Sequence, residues 1–164
     1  MTRENDRAWM ATAIELSRQC PPAEGAFSVG AVIVGSGGGE ISRGYSRETD
    51  PHVHAEEAAL AKVPEGDARL RDATLYTTLE PCTERKSRPL SCTQLVLHSG
   101  IQRVVIAWRE PDFFVSNCVG VETLREAGVT VVELPEMAAE ARAANAHLAI
   151  DTGGPQSASP SKPT

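Results

Sequence analysis

Apolar and polar positions along the chain follow two rhythms, and each predicts a different element. In residues 5–20, Ala8, Met10, Ala11, Ala13, Ile14 and Leu16 recur on a helical stripe that Pro21 and Pro22 end. Residues 29–34 are uninterruptedly apolar, as expected of a strand buried on both faces. A glycine-rich turn follows, and residues 41–45 return antiparallel as a hairpin. Residues 54–63 combine helix formers with acids in the first turn, where the helix dipole favours them. A strand at 73–79 leads into an irregular loop at 81–91. Then come a helix at 92–99 closed by Gly100, a strand at 104–108, a helix at 119–127 closed by Gly128 and a strand at 129–134. An alanine-rich helix is predicted over 136–150. The low-complexity stretch 151–164, DTGGPQSASPSKPT, reads as a disordered tail, leaving 1–150 as one domain.

Strands alternating with helices predict an α/β protein. The helical connection between 104–108 and 129–134 suits a right-handed parallel crossover better than a hairpin. The expected architecture is a three-layer α-β-α sandwich around a five-stranded mixed sheet whose last two strands are parallel.

The 164-residue length suits one core, and 41% hydrophobic residues suit a globular body. A net charge of −6 disfavours broad contact with nucleic acid. No apolar run approaches the ~20 residues that span a bilayer. The start, MTRENDRAWMATAIELS, lacks the pattern of a secretory signal, so the expected compartment is the cytoplasm. Disulfides are then the less favoured reading of Cys20, Cys82, Cys92 and Cys118.

Two segments carry chemistry. His54-Ala55-Glu56 opens one predicted helix; Pro81-Cys82 follows a strand, and Cys92 opens the next helix. Singly, such a histidine is a surface residue and such a cysteine a small core residue. Together they are three zinc-competent ligands converging on one edge of the sheet. Three protein ligands leave the fourth position of a tetrahedral zinc open for water, as in catalytic sites. Zinc lowers the pKa of such a water towards ~7, and a helix N-terminus favours the thiolate the metal requires. Glu56, two residues after His54, is free to shuttle protons.

An H-x-E followed by P-C and a second cysteine resembles the cytidine deaminase-like superfamily. SVGAVIV at 28–34, GYSRETDPHVHAEEAAL at 44–60 and ATLYTTLEPC at 73–82 extend the likeness. The resemblance implies hydrolytic loss of an exocyclic amino group from a pyrimidine-like heterocycle. Zinc would be held by His54, Cys82 and Cys92. Glu56 would carry protons from water to a ring nitrogen and then to the leaving ammonia, and the Ala55 N–H would hold a ring carbonyl. It also implies a homodimer or higher oligomer. Nine residues separate the two cysteines, where many members have two. The deaminase domain of riboflavin biosynthesis, which acts on a diaminopyrimidinone ribosyl phosphate, resembles this chain in its long loop and in the run from Cys92 to Gly100-Ile101-Gln102-Arg103-Val104-Val105.

Arg85, Lys86 and Arg88 lie in that loop, either as a phosphate clamp or as solvated charge. Arg88, stiffened by Pro89 and capable of a bidentate fork, is the favoured clamp residue. By resemblance the segment with Phe113 and Phe114 lines the pocket, with Phe114 the candidate to stack on the base and core packing the favoured alternative for at least one of the two rings. Deamination of guanine or another purine or triazine amine stays open as an alternative. An RNA-editing role is disfavoured by charge. A structural zinc module would need four closed ligands and would leave Glu56 without a purpose.

Overall fold

The computed structural model describes residues 2–111 and 118–148. Phe113, Phe114 and the tail at 151–164 lie outside the described residues. Five strands form one sheet, β1 (Gly30–Val34), β2 (Glu40–Tyr45), β3 (Thr74–Leu79), β4 (Arg103–Trp108) and β5 (Thr130–Glu133), in the order β2-β1-β3-β4-β5. β1 pairs antiparallel with β2 and β3, while β3, β4 and β5 run parallel. This is the expected mixed sheet, with its last two strands parallel.

All residues of β1 and β3 are buried, so both faces of the sheet need cover. α1 (Arg3–Ser17) and α5 (Ala138–Ala143) supply one layer. α2 (Ala55–Ala61), α3 (Cys92–Ser99) and α4 (Gly120–Glu126) supply the other. Two glycines set how closely the layers approach. A Cβ on Gly30 would lie 1.8 Å from the Ala13 carbonyl oxygen of α1, and one on Gly44 would lie 2.6 Å from the Ala59 nitrogen of α2. A buried polar group ties the α1 layer to the sheet at the other end of the strands. The Asp6 carboxylate accepts from the Tyr76 hydroxyl at 2.8 Å and from Arg103 at 2.9 and 2.7 Å.

Helix ends depart from the hydrophobic pattern where polar side chains intervene. α1 starts early because Thr2 Oγ1 accepts the Asn5 N–H, and it stops at Ser17. The helix expected over 136–150 is broken into a 3₁₀ turn at Pro135–Met137, the short α5 and a second 3₁₀ turn at Ala146–Leu148. The buried Asn145 turns its amide to the Ser28 backbone, accepting from N–H at 2.7 Å and donating to C=O at 3.1 Å. These bonds to another segment outcompete helix propagation. Gly100 closes α3 as expected, with φ 85° in the left-handed region. Among the described residues no helix is long and apolar enough to cross a membrane.

The parallel strands deliver two loops to one sheet edge. Pro81-Cys82 follows β3 and Glu110 follows β4, and the Glu80 N–H donates to the Trp108 carbonyl at 2.8 Å. α2 and α3 begin at the same edge, the usual place for a site in such a sheet.

Candidate active site

His54 is the N-cap of α2 and Cys92 the first residue of α3. Cys82 stands on the loop before α3, where its sulfur accepts the Cys92 N–H at 3.4 Å, so it shares that helix N-terminus. The His54 Nδ1 lies 3.6 Å from the Cys82 sulfur and 3.3 Å from the Cys92 sulfur, and the ligand atoms all lie within 4.8 Å of one another. A tetrahedral zinc with ordinary Zn–S and Zn–N bonds requires a sulfur–nitrogen edge of about 3.6 Å. The donor set and its spacing therefore fit zinc. The hydrogen bond from Cys92 holds the Cys82 thiol well below its usual pKa although burial opposes this, and the same pairing with burial pushes Cys92 up. Metal binding to such a pair displaces thiol protons. The four cysteines are free thiols, and Cys20 and Cys118 stand outside the ligand group.

Glu56, in the first turn of α2, is 4% exposed, and its Oε1 accepts the Thr77 hydroxyl of β3 at 2.7 Å. Burial raises its pKa while the Thr77 bond partly offsets it, a setting suited to a group that takes up and returns a proton. Ala55 opens α2, so its N–H is among the first-turn amides that lack an intrahelical partner. His54, Glu56 and Cys82 face a cleft of about 410 Å³, within the range of small-molecule sites, while Ala55 and Cys92 lie buried behind its wall. Its walls include His54, Glu56, Cys82, Arg47, Arg85 and Glu110.

The basic loop divides its roles differently from the sequence expectation. Arg88 turns to the start of α2, bonding Asp50 at 2.7 Å and Glu57 at 3.4 Å, and is absent from the cleft wall. Two carboxylates from another segment draw it away. Arg85 and Lys86 line the cleft instead. The Arg85 side chain is only 3% exposed, and its Nη2 donates to the His52 carbonyl at 2.6 Å. Its Nη1 lies 3.4 Å from Glu57 without hydrogen-bond alignment, and its Nε has no partner among the described residues. His52 thus contributes main chain to this network. Phe114 lies outside the described residues.

Three wall residues received no role from the motifs, although Arg47 and Glu80 lie within the stretches that carry the family likeness. Arg47, at φ 61°, fans its guanidinium to Pro21 O, Phe27 O and Ser28 Oγ, holding the segment before β1 beside the cleft. Glu80 has both oxygens engaged, by the Glu110 N–H at 3.1 Å and the Val121 N–H at 2.9 Å, so it also caps α4. Glu110 leaves its buried Oε2 unpaired, and burial pushes its pKa up to about 7.

Residues 3–108 match the cytidine and deoxycytidylate deaminase zinc-binding region. The chain belongs to that family. A diaminohydroxyphosphoribosylamino-pyrimidine deaminase of Schizosaccharomyces pombe is 41% identical over 131 residues, covering 79% of this chain and 32% of that protein. The riboflavin biosynthesis protein RibD of Aquifex aeolicus is 39% identical over 132 residues, covering 80% and 35%. The chain thus spans about a third of the length of these curated relatives. Among solved structures, Acinetobacter baumannii RibD is 30% identical with a TM-score of 0.76, over 89% of this chain and 40% of that one. In this family setting, the His54, Cys82 and Cys92 triad is the zinc-binding cluster, and Glu56 stands beside it.

Proposed function

We propose that the chain, as one catalytic domain over residues 1–150, deaminates an amino-pyrimidinone that carries a ribosyl phosphate, of the kind named for its S. pombe relative. The observation that carries this reading is Arg85, a buried guanidinium on the wall of the cleft, on the loop between two metal ligands, with unmet donors. A buried cation with spare N–H groups suits a phosphate, which accepts several charge-assisted bonds at once. Lys86 adds exposed positive charge at the same wall, and Arg88 braces the loop through Asp50 and Glu57.

His54, Cys82 and Cys92 would hold zinc, which when bound lowers the pKa of its water towards ~7. Glu56 accepts the water's proton, delivers one to the ring nitrogen beside the reacting carbon, and later protonates the departing amine. Thr77 holds Oε1 of Glu56 in place, which leaves Oε2 for the transfers. The Ala55 N–H positions a ring carbonyl. The net change replaces a carbon–nitrogen bond by a carbonyl and releases ammonia.

The compartment in this proposal is the cytoplasm, where reduced thiols at Cys82 and Cys92 stay available to the metal. The assembly is at least a homodimer; a monomer by light scattering at working concentration overturns that part. Ammonia release is the test of function, with cytosine, cytidine, deoxycytidylate, guanine and the diaminopyrimidinone ribosyl phosphate offered to zinc-loaded protein. The phosphate is expected to be turned over with the highest kcat/KM. Preference for a free base or for deoxycytidylate refutes the assignment.

A further inference from the structure

Four glutamates line the described cleft wall; Glu84 is exposed, and two of the other three have evident employment. Glu56 is held by Thr77, and Glu80 is saturated by the N–H groups of Glu110 and Val121. Glu110 differs. Its own N–H is anchored on Glu80, which fixes its backbone at the end of β4, and its side chain lines the same cleft as His54 and Glu56. The Cys118 thiol interacts with this carboxylate, yet its Oε2 is buried and has no hydrogen-bond partner among the described residues. An acceptor left unpaired in this way costs the full desolvation of the group unless a ligand satisfies it.

The substrate chemistry indicates what that ligand group must be. A deoxycytidylate ring is substituted at N1, so apart from the amino group it loses, its edge offers acceptors and C–H groups. An amino-pyrimidinone bearing a ribosylamino substituent offers more N–H groups: a ring N–H, a second amino group and the substituent's own N–H. We propose that Glu110 is the specificity-determining residue of the cleft, accepting hydrogen bonds from the N–H-bearing edge of the heterocycle and thereby selecting amino-pyrimidinone rings over N1-substituted cytosine rings. This deepens the functional reading above and rests on it for the substrate class. A donor arriving at Oε2 completes the one fully buried carboxylate oxygen that lacks a partner on the described cleft wall, and favours its ionised form. A ring without that donor leaves the carboxylate buried and unpaired, which is how sites built for an N–H reject analogues that lack one.

The test compares wild type with Glu110→Gln and Glu110→Ala. kcat/KM is measured on the diaminopyrimidinone ribosyl phosphate, guanine and deoxycytidylate, and inhibition constants where turnover is absent. Zinc content and melting temperature are followed in parallel. Both variants are expected to keep zinc and to lose about 10- to 100-fold on the N–H-rich rings, mainly through KM, with deoxycytidylate binding unchanged or tighter. The discrimination ratio therefore collapses. Equal losses on all rings, or none, overturn the proposal, since a merely structural carboxylate leaves the ratio unmoved. If Gln does not fold, the Ala variant carries the comparison. If neither folds, Glu110 is a structural carboxylate and the proposal fails. Wild-type turnover of guanine but not of the ribosyl phosphate sinks the functional assignment while the Glu110 ratio still stands or falls by itself. Turnover of the ribosyl phosphate with an unmoved ratio sinks only Glu110.

Discussion

Gly120→Ala is a small change that should be felt at the metal. A Cβ there would lie 2.3 Å from the Pro81 carbonyl oxygen, 3.2 Å from Glu80 Cγ and 3.3 Å from Thr93 Oγ1. The nearest clash is with backbone, so α4 or the Pro81 peptide must shift by roughly 1 Å to reach a tolerable contact. The Pro81 carbonyl also accepts the Thr93 hydroxyl at 3.1 Å, and Glu80 accepts the Val121 N–H at 2.9 Å. Overpacking of this kind costs about 1–3 kcal/mol, and a strained bond to a charged group adds to it. Alanine's better helix propensity returns up to ~1 kcal/mol, which leaves a net loss of about 2–3 kcal/mol. For a chain of this size that is a fall of roughly 4–12 °C in Tm. Cys82 follows Pro81 directly, so zinc affinity should fall about 10- to 100-fold, as it does when groups behind a ligand are disturbed. Thermal melts with and without added zinc, and metal content per chain after dialysis against a weak chelator, read both effects. A melt within about 1 °C of wild type together with full zinc retention would refute the reasoning, because the clash would then have cost no more than the propensity gain returns.

Glu56→Gln should keep fold and zinc but lose about 10²- to 10⁴-fold in kcat, because the amide cannot take the proton; metal analysis and ammonia release check this. Arg85→Ala should raise KM for a phosphorylated substrate about 10- to 100-fold and barely affect the dephosphorylated nucleoside. Arg88→Ala should instead loosen the loop, seen as faster proteolysis between the cysteines with a smaller change in KM. Asp6→Asn should cost about 3 kcal/mol at pH 7, since it strands a buried arginine contact. Burial alone would raise the Asp6 pKa, but the bonds from Arg103 and Tyr76 outweigh it and hold the carboxyl below its usual range. Its stabilisation is therefore present above the unfolded pKa of about 4 and disappears as pH falls through the lower folded value. Urea melts at pH 7 and pH 3 should show the gap between wild type and variant closing in acid.

The metal ligands are readable in the sequence because zinc accepts few residue types, and because helix starts after strands confine where they meet. The strands are readable for a related reason: a run such as 29–34 without a polar residue has few places to go except the middle of a sheet. What the sequence conceals is direction. Arg85 and Arg88 sit three positions apart in an irregular loop, and nothing local tells which of them faces the cleft. Asp50 and Glu57, brought from more than 30 residues away, decide it. Glu110 looks like any acid after a strand until the fold buries its Oε2. Asn145 breaks a promising helical stretch for the sake of Ser28, which lies 117 positions earlier in the chain.

The web from Asp50 through Arg88 and Glu57 to Arg85 has a consequence for how such enzymes diversify. Both ends of the inter-cysteine loop are tethered by the ligands, while its middle is held by side-chain charges rather than by sheet hydrogen bonds. Lengthening a tethered loop is entropically cheap, since each doubling costs only about 0.6 kcal/mol. Insertions and deletions between Cys82 and Cys92 can therefore accumulate without displacing either thiolate. The segment can then be exchanged as a cassette with the metal ligands inherited intact, and grafting residues 83–91 onto a short-loop relative tests whether it carries the proposed preference for phosphorylated rings.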